Sequence, residues 1–254
     1  MREAIGVSEV GWDMLTKVNL IKVAEHVKEN VSSNSARTYF AEICSFLHRY
    51  DEEGIVPCKH PEDVLKAKKE PSQHVALTED EIMKWDAYEP EDQRERDIKI
   101  LFMRGCLTGA RHSDCINMSE ENIRDGILSY VSVKTHTEVK QPIHRLLPKY
   151  LSVSPSKDYP NSTTERVISR ICMKLRINDL VSVYVGGVMR RGPKYEFITM
   201  HSSRRSYVSC LAVRDVPVSI ISKLAGHSST SMTDRYVCVD VNKLDDTAMS
   251  FFNG

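Results

Sequence analysis

Six side chains in this sequence could together do chemistry on a phosphate. Arg111 and Lys134 stand upstream, and His201-Ser-Ser-Arg204, Gly226-His227 and Tyr236 follow toward the C-terminal end. A phosphodiester under attack carries charge on its non-bridging oxygens. Planar guanidinium forks match those oxygens bidentately, and imidazole nitrogens add further hydrogen bonds. A phenol in such company is a nucleophile, so Tyr236 would attack the phosphorus. Each residue alone carries little weight, because a lone His after Gly is most often a helix-end residue, a lone Tyr is half-buried and an Arg pair is solvated. With nine His and ten Tyr in 254 residues, each fixed position is filled at about 4 %, so His227 and Tyr236 together arise by chance on the order of once in several hundred tries.

The segments Thr108-Gly-Ala-Arg111-His-Ser-Asp114, His201-x-x-Arg204, Leu224-Ala-Gly-His227-Ser-Ser229 and Tyr236 together resemble the tyrosine recombinase, or phage integrase, family. His227 lies 26 positions after His201 and Tyr236 nine after His227, which are the family's usual intervals. The resemblance runs from Leu77 to Phe252. It implies a site-specific DNA recombinase that cuts and rejoins DNA through a 3′-phosphotyrosyl bond, serving integration or excision of a mobile element. By resemblance Tyr236 is the nucleophile, Arg111 and Arg204 clamp the phosphate, and His201 and His227 hydrogen-bond it and assist proton transfer. Lys134, in Val131-Ser-Val-Lys134-Thr135, matches the family's hairpin lysine and would protonate the leaving oxygen, while Asp114 would orient Arg111. One departure is Arg205, where many relatives carry a second His. No cofactor or metal is expected, because positioning and side-chain charge suffice for phosphoryl transfer and bond energy is conserved. The partners implied are double-stranded DNA attachment sites, accessory DNA-bending proteins and three further copies of the chain in a synaptic homotetramer, with a monomer when free.

Other readings share parts of this pattern. A type IB topoisomerase has the same residue classes but relaxes DNA without joining partner strands. A DNA-binding protein with a vestigial site is a different class again. A metal-dependent phosphodiesterase would need carboxylates, for which Asp240, Asp245 and Asp246 offer only a loose cluster.

The elements that must position these residues can be read from periodicity. Leu15, Val18, Ile21, Val23, Ala24 and Val27 form one helical face, broken at Ser32-Ser-Asn34. Tyr39, Phe40, Ile43, Phe46 and Leu47 form a second, capped by Asn34 or Ser35 and ended by Gly54-Ile-Val-Pro57. Pro61 opens a short third helix through Leu65, and the charged, Pro71-containing stretch that follows reads as a linker. Residues 1–66 are therefore expected to be a shortened helical core-DNA-binding domain without the family's arm-binding module, 67–76 a linker and 77–254 the catalytic domain. In the latter, Thr78-Glu-Asp-Glu81 is a capping box opening a helix. A second helix from Arg94 to Leu107 buries Ile98, Leu101, Phe102 and Cys106, and Gly109 turns the chain so that Arg111 starts a short helix. Ile127–Val133 and Val139–Ile143 alternate as strands, making a hairpin with Lys134 in its turn. Helical sequence resumes at Thr163, and a helix from Pro217 to Gly226 presents His227 just beyond a left-handed glycine. The fold class is mainly α with a small antiparallel β-sheet, in two domains.

Lys+Arg and Asp+Glu are both 35, so global charge gives no sign of nucleic-acid binding. Over residues 1–70, 12 acids oppose 10 Lys+Arg. Basic residues do concentrate locally. Arg190, Arg191, Lys194 and Arg205 around the first histidine motif, and Lys140 in the hairpin, are expected to contact DNA. Seven cysteines, an odd number with no C-x-x-C pair, fit free thiols in a reducing, cytoplasmic and nucleoid-associated setting, Cys106, Cys172 and Cys210 being small core residues. No apolar run reaches membrane-span length. Val241, Leu244, Ala248, Phe251 and Phe252 recur at helical spacing and form an apolar stripe that would dock on the same protomer or on a neighbour in the tetramer.

Overall fold

A computed structural model describes residues 1–51, 54–70 and 74–237. The chain divides into two compact units, Met1–Gln73 with Ser182–Arg190, and His74–Val181 with Arg191–Gly254. The aspartates and apolar tail residues considered above beyond Val237 lie outside the described residues. No described helix is long and apolar enough to cross a membrane.

In the first unit, α1 (Arg2–Ile5) leads to α2 (Lys17–Asn30) and α3 (Ser33–Asp51). Leu20 and Ala24 of α2 face Ala36, Phe40 and Leu47 of α3, and Leu15, Val56, Cys58 and Leu65 close this core. The second helix begins two residues earlier than a cap at Asn34 would set it, because the Ser32 hydroxyl accepts from the Ser35 N–H at 3.3 Å. Asn34 instead clips a distant strand of chain, donating to the Glu70 carbonyl at 2.9 Å and accepting from the Glu70 N–H at 3.0 Å. The expected third helix is a single 3-10 turn, Pro61–Asp63.

The second unit is built around α5. It starts with α4 (Glu79–Ala87), whose capping box is present as expected: the Thr78 hydroxyl accepts from the Glu81 N–H and the Glu81 carboxylate from the Thr78 N–H. Next comes α5 (Gln93–Thr108), capped by Asp92, whose residues from Asp97 to Thr108 are all buried. Then follow α6 (His112–Ile116) and a sheet of β1 (Ile123–Arg124), β2 (Ile127–Val131) and β3 (Glu138–Pro142), antiparallel in that order. In β2 and β3, Leu128 pairs with Gln141 and Tyr130 with Val139, and these four are the buried positions of the two strands. The remaining elements of the chain are α7 (Leu147–Leu151), α8 (Asn161–Lys174), a second hairpin of β4 (Leu180–Val185) and β5 (Val188–Pro193), of which Ser182–Arg190 belong to the first unit, α9 (Met200–Val213), α10 (Val218–Leu224) and α11 (Thr230–Asp234). The second hairpin goes beyond the sequence reading, although Leu180–Val185 and the Gly186-Gly187 turn carry its signal.

Two helices, α5 and α9, approach closely because small residues line the seam. A Cβ on Gly105 would lie 2.1 Å from the Ser203 hydroxyl oxygen, and one on Gly109 would lie 2.4 Å from the Tyr207 ring. Gly109 also needs its left-handed φ of 66° to end α5. Buried Arg104 pins the surroundings of α5, donating to the carbonyls of Cys115 at 2.6 Å, Tyr150 at 3.0 Å and Val153 at 2.8 Å. Gly126 shares a positive φ of 76°, yet nothing lies within 4 Å of its Cβ position. Gly109→Ala should therefore cost about 2–4 kcal/mol in denaturant unfolding, the sum of left-handed strain and overpacking, and Gly126→Ala only about 1–2 kcal/mol. Equal losses in the two variants would show that the seam tolerates a methyl group.

Candidate active site

Five of the six expected side chains are brought together by α9, the Gly109 turn and the segment from Gly226 to Tyr236. Arg204 lies on the buried side of α9, 1 % exposed, and its Nη1 donates to the Gly109 carbonyl at 2.5 Å. Its Nε and Nη2 are buried without a hydrogen-bond partner among the described residues. The Gly109 turn delivers Arg111 as the N-cap of α6. There it donates from Nη1 to the Ser132 hydroxyl at 3.1 Å. His227 follows Gly226, which has the left-handed φ of 63° that the sequence predicts. Its Nδ1 lies 2.8 Å from the buried Thr233 hydroxyl, and its buried Nε2 has no partner. Of the five buried polar side-chain atoms left unpartnered among the described residues, three belong to Arg204 and His227. Buried polar atoms are rarely left so, and an anion would satisfy the Arg204 donors, together with His227 Nε2 in the tautomer that carries its proton there.

Tyr236 sits one residue beyond the C-cap of α11, a helix begun by a Ser229 cap. Its hydroxyl is 2.8 Å from His201 Nε2. Its ring lies 4.7 Å from that of His227, centroid to centroid. The guanidinium carbons of Arg205 and Arg204 lie 4.6 and 5.6 Å from its ring centroid. Partial burial, and then the fields of Arg205, Arg204, His74 and Arg111, hold His201 down to about 4. Burial followed by Arg204, Arg111 and His201 does the same to His227, also to about 4. Both rings are thus neutral at pH 7. A neutral Nε2 at 2.8 Å can accept the phenolic proton. Burial first, and then Arg111, lower the pKa of Arg204, yet no ordinary shift discharges a guanidinium.

Lys134 stands apart, exposed in the β2–β3 turn, with no bond to the other five. The Asp114 N–H donates to the Arg111 carbonyl at 2.9 Å, but its carboxylate makes no ion pair with the Arg111 guanidinium. That carboxylate accepts from the Ser132 hydroxyl at 3.1 Å and from the Val133 N–H at 2.8 Å, so it holds the hairpin to α6 and reaches the Arg111 side chain only through Ser132. Two of the expected DNA contacts have partners within the fold. Lys194 is 7 % exposed and bonded to Glu81 at 2.6 Å, so its charge is spent inside the fold. Arg205 is 8 % exposed and donates to the Arg235 carbonyl at 2.9 Å. Arg190, Arg191 and Lys140 are exposed, Lys140 pairing with Glu138 at 2.8 Å. Ser132, Thr233 and Ser209 were invisible to sequence reasoning, since a hydroxyl that orients a neighbour leaves no pattern. Among the described residues no three His, Cys, Asp or Glu converge as a metal site.

Residues 76–243, more than half of the chain, match the phage integrase family. The chain belongs to that family. It is a tyrosine-type site-specific recombinase, mainly helical with small antiparallel sheets. The fold is shared with a dimer of lambda integrase residues 75–356 bound to a COC′ core site, at TM-score 0.67 and 18 % identity over 96 % of this chain and 88 % of that one. A lambda integrase tetramer on a Holliday junction gives TM-score 0.67 and 18 % identity over 94 % and 70 %. XerH recombinase in a post-cleavage complex gives 0.63 and 13 % over 94 % and 70 %. No curated protein sequence matches the chain significantly.

Burial and the cation field together make a testable statement about this integrase-family site. In nuclear magnetic resonance titrations of the free protein, the His201 and His227 rings should gain their protons only as pH falls through about 4, far below the ordinary histidine range. A bound phosphodiester cancels part of the arginine field and should raise both values. Titration of either ring near 6.5 in the free protein would mean that it is neither buried nor crowded by the arginines.

Proposed function

We propose that this recombinase cuts one strand of a duplex attachment site with Tyr236. The phenolic oxygen bonds to the scissile phosphorus while its proton passes to His201 Nε2, and the bond from phosphorus to the 5′-oxygen breaks. Arg204 Nε and Nη2, with Arg111 and His227 Nε2, take the non-bridging oxygens, whose charge grows as the nucleophile arrives. Lys134 supplies the proton for the leaving 5′-oxygen. A 3′-phosphotyrosyl bond results, and attack on it by the 5′-hydroxyl of a partner strand reverses the chemistry and joins the strands. The observation that carries this reading is the 2.8 Å contact between Tyr236 and His201, beside unspent buried donors of Arg204 and His227. A vestigial site has no reason to keep those donors buried and unpaired at a cost of about 1–3 kcal/mol each.

The first 66 residues serve in this reading as the core-DNA-binding domain and residues 77–254 as the catalytic domain. The lambda integrase tetramer on a Holliday junction supports a synaptic tetramer here too, with integration or excision of a mobile element as the outcome and accessory bending proteins as helpers in the nucleoid. Joining of a partner strand, rather than relaxation of a single duplex, separates this reading from a type IB topoisomerase.

Nicked suicide duplexes carrying attachment sites trap the covalent intermediate. Tyr236→Phe should abolish the trapped band and leave duplex binding within about twofold, since a single hydroxyl is lost. A persisting band would remove Tyr236 from its role. Lys134→Ala should fail on ordinary DNA but recover cleavage when the bridging 5′-oxygen is replaced by sulfur, a leaving group that needs no acid. Equal impairment on both substrates would make Lys134 a groove contact instead.

A further inference from the structure

Helix α9 presents His201, Arg205 and Ser209 one turn apart, and each meets a different part of the Arg235–Tyr236 segment. His201 Nε2 lies 2.8 Å from the phenolic oxygen. Arg205 Nη1 donates to the Arg235 carbonyl at 2.9 Å, and its guanidinium lies over the Tyr236 ring at 4.6 Å. The Ser209 hydroxyl donates to the Tyr236 carbonyl at 3.3 Å. Residues four apart share a helix face, so the three make one stripe under the segment. Only the first contact involves the atom that reacts. The other two hold backbone and ring.

Local structure offers little else to fix Tyr236. Helix α11 is five residues long, too short to be stable alone, and Tyr236 follows its C-cap. Tertiary contacts must therefore set where the phenol points. Some are apolar, since Tyr236 and Val237 pack against Val208, Ile221 and Ala225. Arg205 adds direction: a cation largely removed from water binds a carbonyl and an aromatic face more strongly than an exposed one does.

We propose that Arg205 and Ser209 form a latch seating the Tyr236 segment on α9 of its own protomer, with Arg205 a positioning residue for the nucleophile and not a DNA contact. The inference rests on the reading of Tyr236 as nucleophile. A displaced phenol loses alignment with the phosphorus, and a misplacement of that size costs on the order of a hundredfold in rate. Phosphate clamping belongs to other residues and is untouched.

Two measurements on the full chain test the latch. In single-turnover adduct formation on a nicked suicide duplex, Arg205→Ala should be slower by about a hundredfold, with duplex affinity unchanged. Arg205→Lys keeps a donor and a charge over the ring and should stay within about tenfold of the parent. Ser209→Ala, losing one neutral hydrogen bond, should be slower by a few-fold, roughly threefold to tenfold. In the second measurement hydrogen peroxide replaces the phenol in a Tyr236→Phe background. A peroxide oxygen bonds to phosphorus and the 5′-oxygen leaves with a proton, so only phosphate activation is needed. Adding Arg205→Ala should leave this cleavage unchanged, whereas adding Arg204→Ala should abolish it. Parental adduct rates in Arg205→Ala, or equal losses with phenol and peroxide, would overturn the latch. If Arg205→Ala fails to fold, as seen by circular dichroism, Ser209→Ala decides: a parental rate there overturns the proposal. Adduct formed by Tyr236→Phe itself would instead overturn the underlying reading of the nucleophile.

Discussion

A guanidinium buried with most of its donors unspent is the constraint around which this unit is organised. Arg204 is 1 % exposed and gives one hydrogen bond, to the Gly109 carbonyl, while two of its nitrogens face no acceptor. Burying an incompletely paired charge costs several kcal/mol, so the packing around it must hold. That packing is the seam between α5 and α9, where Gly105 and Gly109 oppose Ser203 and Tyr207 with no room for a side chain. The glycines bring the α5 C-terminus so near α9 that its last carbonyl can anchor the arginine. An anion in the site completes what the fold leaves unfinished.

The same crowding sets the protonation of the site. The chain has zero net formal charge, yet Arg111, Arg204 and Arg205 converge on two imidazoles and a phenol. Burial first, and then the local arginine fields rather than the total charge, keep both histidines neutral. Cations thereby take over charge stabilisation and leave the rings free to exchange protons. Global composition therefore says little about whether a chain can handle a phosphate.

The hairpin is braced from several sides, although the lysine at its tip is not. Asp114 holds Ser132 and Val133 at the end of β2. Gln141 of β3 donates to the Thr108 carbonyl at 2.8 Å and accepts from the Tyr207 hydroxyl at 2.6 Å, tying the sheet to both seam helices. Val139 presses against the Gly226 turn, where a Cβ would come within 2.7 Å of its methyl group. The strand that leads away from Lys134 thus also supports the turn that presents His227.

Much of this was legible in the chain itself. Thr78 and Glu81 announce a helix start, Gly109 and Gly226 announce left-handed helix ends, and the strand alternation around Lys134 announces a hairpin, because these signals act over a few residues. The spacing of His201, Arg204, His227 and Tyr236 identified the chemistry for the same reason: a motif survives as a pattern of residue types. Other assignments could not be made locally. Lys194 and Arg205 look like basic surface in sequence, but Glu81 lies 113 residues from the one and the Arg235 carbonyl 30 residues from the other. Nor does any local rule say that the Asp114 carboxylate would grip Ser132 and Val133 instead of the Arg111 guanidinium. Charge type is written in the sequence, whereas the partner of a charge, and so whether it serves the interior, the nucleophile or a ligand, is decided only when distant segments are brought within hydrogen-bond distance.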